Sequence, residues 1–443
     1  MTTHQSFADL GVGEPTIEAL SARGIATPFP IQVETLPDGL AGRDVLGRGK
    51  TGSGKTLAFS IPLVDRLARM RHGSRPTGLV LAPTRELATQ IAAVIEPLAA
   101  SYNLKVTTIF GGVPQHRQVA ALRSGVDIVV ACPGRLEDLM YQRIISLDTI
   151  EITVLDEADH MSDLGFLPAV TRILAATPDR GQRLLFSATL DNGVDKLVKR
   201  FLRNPVTHNV DGADSPVRAM THHVFHVAGV EAKKELVHHL ASGTGRRILF
   251  MRTKHQAKKL AKQLTDSGVP SVDLHGNLSQ RARDRNLAAF TTGEARVLVA
   301  TDIAARGVHV DAVELVVHVD PPAEHKAYLH RSGRTARAGS AGDVVTVVLP
   351  EQRKDLQLLM RKAGINVRPQ QVAVDSASVQ ALVGDVAPYQ APAPKARQTD
   401  ASAGPKAHES RGRRSAGARQ RRHGRGRVQV PAAMDSVGKV RPR

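Results

Sequence analysis

The chain has 443 residues, 42% of them hydrophobic and 3% aromatic, with a formal net charge of +18. That length exceeds one ordinary core and calls for two or three domains, while a single cysteine, Cys132, excludes a disulfide framework and fits a reducing, cytoplasmic setting. The N-terminal "MTTHQSFADLG" lacks a charged-then-apolar leader and no apolar run is long enough to span a bilayer, so no membrane is expected; the basic balance points to a polyanion such as nucleic acid.

In chain order, the short apolar "DVLG" (44–47) runs into "GKTGSGKT" (Gly49–Thr56) and then into a helical pattern, Leu57–Met70. This matches the phosphate-loop spacing G-x-x-x-x-G-K-[ST]: glycines let backbone N–H groups converge on phosphate oxygens, Lys55 neutralises the outer phosphates, and the Thr56 hydroxyl suits Mg2+. Five strand-like runs follow: "TGLVLAP", "KVTTIF", "DIVVAC", "ITVLDE" and "RLLFSAT", with helical patterns such as Glu86–Leu98 between them. After the polar stretch Asp211–Arg218 a second series appears: "RRILFMRT", "VPSVDLHG", "RVLVATD", "ELVVHVD" and "VVTVVLP", with the helical pattern His255–Ser267. Runs apolar on both faces and separated by helices predict parallel sheets covered on both sides. The reading is therefore α/β, with one domain over 1–210, a linker over 211–218 and a second domain over 219–367. Periodicity fades after Val367, and from Ala391 the chain is rich in Pro, Ala, Gly and Arg without an aromatic, so 368–443 reads as a basic, largely disordered tail. Lys395–Arg443 alone holds 14 Lys/Arg against 3 Asp/Glu, a net +11.

Polar clusters fall immediately after the strand-like runs: Pro83-Thr84-Arg85, Pro133-Gly134-Arg135, Asp156-Glu157, Ser187-Ala188-Thr189 and Thr301-Asp302. Open parallel sheets bind ligands outside the carboxyl ends of their strands, which places chemistry on one edge of each domain. The stretch "VLDEADHM" crowds Asp156, Glu157 and Asp159 at the end of the apolar run Ile152–Leu155, where like charges repel and need a cation. With the phosphate loop present, Asp156 suits Mg2+ held through water, and Glu157 suits a water aimed at a γ-phosphate.

Together, "DEAD" (156–159), "TGSGKT" (51–56), "PTRELA" (83–88), "SAT" (187–189), "ATDIAARG" (300–307) and "HRSGRTAR" (330–337) closely resemble the DEAD-box RNA helicase family, over about Phe7 to Leu349. The resemblance implies two RecA-like domains that close around ATP and RNA. It implies an adenine site at "TPFPIQ" (27–32), with Gln32 reading the base, Phe7 as the isolated upstream aromatic, and Ile25 where many members carry an aromatic. Thr51, Gly52, Ser53, Gly54, Lys55, Thr56, Gly307 and His309 complete the nucleotide contacts that it implies, and Arg334 and Arg337 join Lys55, Asp156 and Glu157 as catalytic residues. Asp159, Ser187, Thr189, Asp302 and His330 match positions that couple nucleotide to RNA. RNA contacts fall on Arg85, Gly112, Pro133, Gly134, Arg135, Thr253, Gln280, Arg283 and Thr301.

Three positions depart from the family pattern: Ile25, Cys132 in place of a threonine, and His309 in place of an aspartate that reaches the ribose, with Asp311 two residues on. The tail "RGRRSAGARQRRHGRGR" (411–427) resembles the arginine-glycine extensions of bacterial members, which implies salt-sensitive, sequence-independent RNA tethering. The expected function is an ATP-dependent RNA helicase that unwinds short duplexes locally or remodels RNA–protein complexes, in ribosomal precursors or in RNA decay. An ATP-gated RNA clamp with little unwinding is the alternative.

Overall fold

The computed structural model describes residues 5–49, 52–70, 73–190, 192–210, 220–305, 310, 312–336 and 341–391. The linker 211–218 and the tail from 392 onward lie outside the described residues. The first sheet holds β1 (Val45–Arg48), β2 (Gly78–Leu81), β3 (Val106–Ile109), β4 (Ile128–Ala131), β5 (Ile152–Leu155), β6 (Gln182–Ser187) and β7 (Val206–Asn209). They lie in the order β3-β4-β2-β5-β6-β1-β7, all parallel. The second sheet holds β8 (Met220–His226), β9 (Arg246–Phe250), β10 (Ser271–Leu274), β11 (Val297–Ala300), β12 (Val313–His318), β13 (Gly342–Val348) and β14 (Gln370–Gln371). Its order is β10-β11-β9-β12-β13-β8-β14, again all parallel. The second series repeats the first strand for strand, so the two domains share one RecA-like topology.

Successive residues of the central strands point into different cores, which is why the runs are apolar throughout. Val80, Ile128, Val130, Ile152 and Val154 face one cluster, and Leu79, Leu81, Val129 and Leu155 face the other. In the second domain, Val299 and Val317 face one cluster, and Ile248, Leu298 and Val316 the other. Helices therefore cover both faces of each sheet, as expected. Among the described residues no helix is long and apolar enough to cross a membrane.

Each of the ten strand-like runs contains a strand. β7, β8 and β14 escaped notice because their patterns are not apolar: β7 is an edge strand with alternate residues exposed, β8 carries three histidines, and both residues of β14 are exposed. β14 also corrects the expected boundary at 367. The chain continues through β14 to the helix Ala377–Val383, and Val372, Val379 and Val383 are buried in the second domain's core. The Arg247 guanidinium, itself buried, donates from Nη2 to the Val383 carbonyl at 2.9 Å and from Nη1 to that of Leu240 at 2.7 Å. The Gln390 N–H donates to the Gly268 carbonyl. A two-residue strand and a seven-residue helix are too short to show periodicity, and the same edge position, filled by β7 in the first sheet, is the signal that would have predicted them.

At the carboxyl ends of the strands, helices start on capping side chains. Thr84 accepts from the Leu87 N–H at 3.2 Å, Thr253 from Gln256 at 3.3 Å, and Ser279 from Ala282 at 3.3 Å. Each satisfies an N–H that the helix itself cannot. Cys132 occupies the equivalent position before the helix Pro133–Tyr141, in extended backbone, and makes no such bond. Burial, and then the Glu86 carboxylate, push its thiol up to about 12, with Arg85 pulling the other way.

Two predictions follow the geometry. Ending the chain after residue 391 should leave its melting temperature unchanged, whereas ending it after 367 should lower it sharply. The shorter chain loses about 1.5–3 kcal/mol for each of the three buried valines and strands the Arg247 donor; equal melting of the two chains would refute the docking. Cys132→Thr should raise stability by about 0.5–1 kcal/mol by supplying the missing cap, read as a rise of about 1–3 °C in thermal unfolding. A fall would show that the introduced hydroxyl does not reach the helix amides.

Candidate functional site

β1 delivers the phosphate loop into the helix Lys55–Leu67. Gly52 and Gly54 have φ of +87° and +91°, a region that favours glycine. A Cβ on Gly54 would fall 2.5 Å from Phe29 Cδ2 and 2.6 Å from Gln32 Nε2, so the loop closes only over a bare backbone. The helix start directs the positive end of its dipole at whatever occupies the loop. The Lys55 ammonium, buried at the first turn, donates to the Gly49 carbonyl across the loop. Ser53 Oγ is buried with no hydrogen-bond partner, an orphan that a phosphate oxygen would satisfy.

Gln32 is buried beneath this loop. Its Oε1 accepts from the Phe29 N–H at 2.9 Å and its Nε2 donates to the Gly54 carbonyl at 3.0 Å. It thus ties the adenine motif to the phosphate loop, keeping one N–H and one lone pair for other partners. Phe7 lies in the first core cluster at 3% exposure, and Ile25 packs against the same cluster. The ring that stands open beside Gly54 is Phe29, half exposed, which the sequence reading did not single out.

The three carboxylates meet three different environments. Asp156 is buried, accepts the Glu157 N–H at 3.0 Å, and is pushed up to about 7 by burial and then by the Glu157 charge, with Lys55 pulling it back. Glu157 adopts φ +50° and ψ +53°, a strained conformation for a side-chain-bearing residue, and its Oε2 lies 2.9 Å from His160 Nδ1. Asp159 is fully engaged: its Oδ1 accepts the His160 N–H, and its Oδ2 accepts both the N–H and the hydroxyl of Thr189, at 2.9 and 2.8 Å. The Asp159 N–H donates to Ser187 Oγ, which donates to the Thr189 carbonyl, while the Gly49 N–H donates to the Ser187 carbonyl. One chain of hydrogen bonds therefore joins the phosphate loop, "DEAD" and "SAT". Thr56 and Asp156 are the protein oxygens suited to a cation here. Among the described residues no group of three or more His, Cys, Asp or Glu is arranged to hold a metal, so a divalent ion would draw its remaining ligands from phosphate and water.

The second domain supplies the opposite wall. Burial lowers the His330 imidazole below its ordinary value, while the Asp159 and Glu157 carboxylates of the first domain pull it up. Arg334, buried one turn on, donates from Nε to the His330 carbonyl at 3.3 Å. Asp302 is gripped by both Nε and Nη2 of Arg331, the latter at 2.8 Å, and Arg331 also donates to the Asp320 carbonyl and stacks over Phe250. Arg331 was missed: inside "HRSGRTAR" nothing in residue type separates it from its arginine neighbours.

On the other side of the sheet ends, the two domains meet through expected RNA residues. Arg85 donates to Gln280 Oε1 at 2.9 Å, and Arg283 donates to Glu86 at 2.7 Å and to the Ala304 carbonyl at 3.2 Å. Gly112, at φ +74°, leaves room for Arg85: a Cβ there would fall 2.0 Å from its Nη1. Arg85, Glu86, Gly134, Arg135, Gln280 and Arg283 line one cavity of about 620 Å3. Gly134 is open to that space, and Arg135 has a buried Nη1 without a hydrogen-bond partner. Pro133 is buried at the start of its helix, the Thr253 hydroxyl caps its own helix, and Thr301 is half-buried at the end of β11; Pro133, Thr253 and Thr301 do not line the cavity. Glu86 was not anticipated. Thr51, Gly307, His309, Asp311 and Arg337 lie outside the described residues.

Two family models match the chain, "DEAD/DEAH box helicase" over residues 29–197 and "Helicase conserved C-terminal domain" over 231–339. The chain is 37% identical over 377 residues to DEAD-box ATP-dependent RNA helicase 20 of Arabidopsis thaliana, covering 83% of this chain and 75% of the relative. It is 40% identical over 358 residues to ATP-dependent rRNA helicase RRP3 of Mycosarcoma maydis, covering 80% of this chain and 63% of that one. In architecture it resembles S. cerevisiae Dbp5 bound to RNA and ADP BeF3, with a TM-score of 0.73, 28% identity, and 85% of this chain and 99% of that chain covered. The chain spans about three fifths of the length of several curated relatives. The relatives named here are a plant and a fungal protein, and they lend no support to the bacterial likeness read from the tail. With a relative 37% identical of which it covers 75%, and with both family models matched, the chain belongs to the DEAD-box helicase family.

Proposed function

We propose that this protein is an RNA-dependent ATPase that uses ATP hydrolysis to unwind short RNA duplexes locally or to remodel RNA–protein complexes. The observation that carries the reading is the chain of hydrogen bonds that joins the phosphate loop, "DEAD" and "SAT", with the Asp159 and Glu157 carboxylates acting on His330 of the second domain. ATP fits the loop through its phosphates, with Lys55 exchanging the Gly49 carbonyl for phosphate oxygen and Ser53 gaining an acceptor. Phe29 and the remaining N–H and lone pair of Gln32 suit the adenine. Thr56 and Asp156 would hold Mg2+, whose charge would offset the crowding of the acids and that developing on the phosphates. Glu157 orients and deprotonates the attacking water, and Arg334 stabilises the charge spreading over the transferring phosphoryl.

RNA fits the second cavity as a backbone ligand. Arg85, Arg135 and Arg283 address phosphates, Gly134 permits close approach, and Gly112 makes room for the Arg85 side chain. Arg85 and Arg283 bond Gln280 and Glu86 across the domains, so RNA entry exchanges these pairs for phosphate contacts and reports directly on closure. The name of the Mycosarcoma relative supports ribosomal RNA among the substrates, and the single cysteine supports a cytoplasmic setting. The tail would add electrostatic tethering that weakens with salt.

ATP hydrolysis should accordingly rise with single-stranded RNA and vanish in Lys55→Ala. Glu157→Gln should bind ATP and RNA together in a long-lived complex while losing turnover by a factor of about 100 or more. Steady-state ATPase assays with and without RNA test this; equal wild-type rates in the two conditions would reject the closure mechanism.

A further inference from the structure

Outside the roles already assigned, the side chain most closely engaged with the reacting groups is His160. It stands three residues after Glu157 on the first turn of the helix Ala158–Asp163, a spacing that brings the two side chains onto one face. The imidazole is buried, and its Nδ1 lies 2.9 Å from Glu157 Oε2. Glu157, with its backbone in the left-handed region, ends the run into this helix. The His160 backbone N–H is committed to Asp159 Oδ1, which fixes the ring's origin within the "DEAD"–"SAT" network. The other ring nitrogen, Nε2, is buried with no hydrogen-bond partner. The ring's hydrogen bond is therefore the one to the Glu157 carboxylate. Around it stand Glu157 and Asp159 from its own element and His330 from the opposite domain.

We propose that His160 is a positioning residue for the hydrolytic step, a statement that rests on the ATPase reading above. Its Nδ1–H donates to Glu157 Oε2 and fixes the rotamer in which the carboxylate addresses the attacking water. No proton leaves His160 in this scheme: the water's proton passes to Glu157 as the oxygen–phosphorus bond forms. Because the contact orients the base and does not touch ATP or RNA, its loss falls on turnover and spares binding.

The test compares RNA-saturated ATPase, ATP KM and thermal unfolding in wild type, His160→Ala and His160→Asn. Asparagine presents an N–H near the place of Nδ1–H, whereas alanine presents none. The expected result is a kcat lowered about 10–100-fold in the alanine variant, with ATP KM within about threefold of wild type and most of the rate restored by asparagine. A wild-type kcat in the alanine variant, or an asparagine variant as slow as alanine, overturns the proposal. If the alanine variant does not fold, His160→Leu, which keeps bulk and removes the donor, takes its place in the same comparison. Wild-type protein without RNA-stimulated hydrolysis would instead reject the underlying reading, so the two failures are distinguishable.

Discussion

The structure turns on the cost of ending a buried strand with three acids. Burial disfavours the charged form of a carboxylate, and it pushes Asp156 up, with the Glu157 charge adding to it and Lys55 pulling it back. Asp159 accepts three hydrogen bonds. Glu157, on a strained backbone, meets His160. Asp156, raised by burial and by the Glu157 charge, wants positive charge, and the proposed chemistry brings that charge in with its substrate.

The same economy explains how two distant surfaces communicate. Asp159 draws in Thr189, Ser187 is shared with the phosphate-loop backbone, and His330 meets the "DEAD" residues from the second domain. Elsewhere along the carboxyl ends of the strands, Arg85–Gln280 and Glu86–Arg283 bridge the domains through residues that suit RNA phosphates. A shift of one domain therefore alters both sites at once, which gives the proposed RNA binding a physical path to the proposed hydrolysis.

The central strands were legible because burial on both faces leaves unbroken apolar runs, as in "TGLVLAP" and "RVLVATD". Edge elements were not: β7 and β14 are polar and owe their place to the neighbouring strand's hydrogen bonds, and β8 hides its buried valine and phenylalanine among histidines. In the site, glycine spacing and charge crowding identified Lys55, Asp156 and Glu157, because those demands are local. Arg331, Glu86, Phe29 and His160 act through partners distant in the chain or through one hydrogen bond among several open to them, and residue type alone does not choose among those. Gln32 was found by its motif, yet its bonds to Phe29 and Gly54 became visible only in three dimensions.

The most direct test of this account is the thermal stability of Asp156→Asn against wild type, without nucleotide, across pH. The amide can still accept the Glu157 N–H but carries no charge. Since folding raises the Asp156 carboxyl from an ordinary 3.8 to about 7, its ionisation costs stability increasingly between those values and fully above them. The variant should therefore be more stable than wild type at pH 8, with the difference narrowing as pH falls from about 7 toward 4. A variant no more stable than wild type at pH 8 would contradict the claim that unmet charge at the end of β5 governs the site.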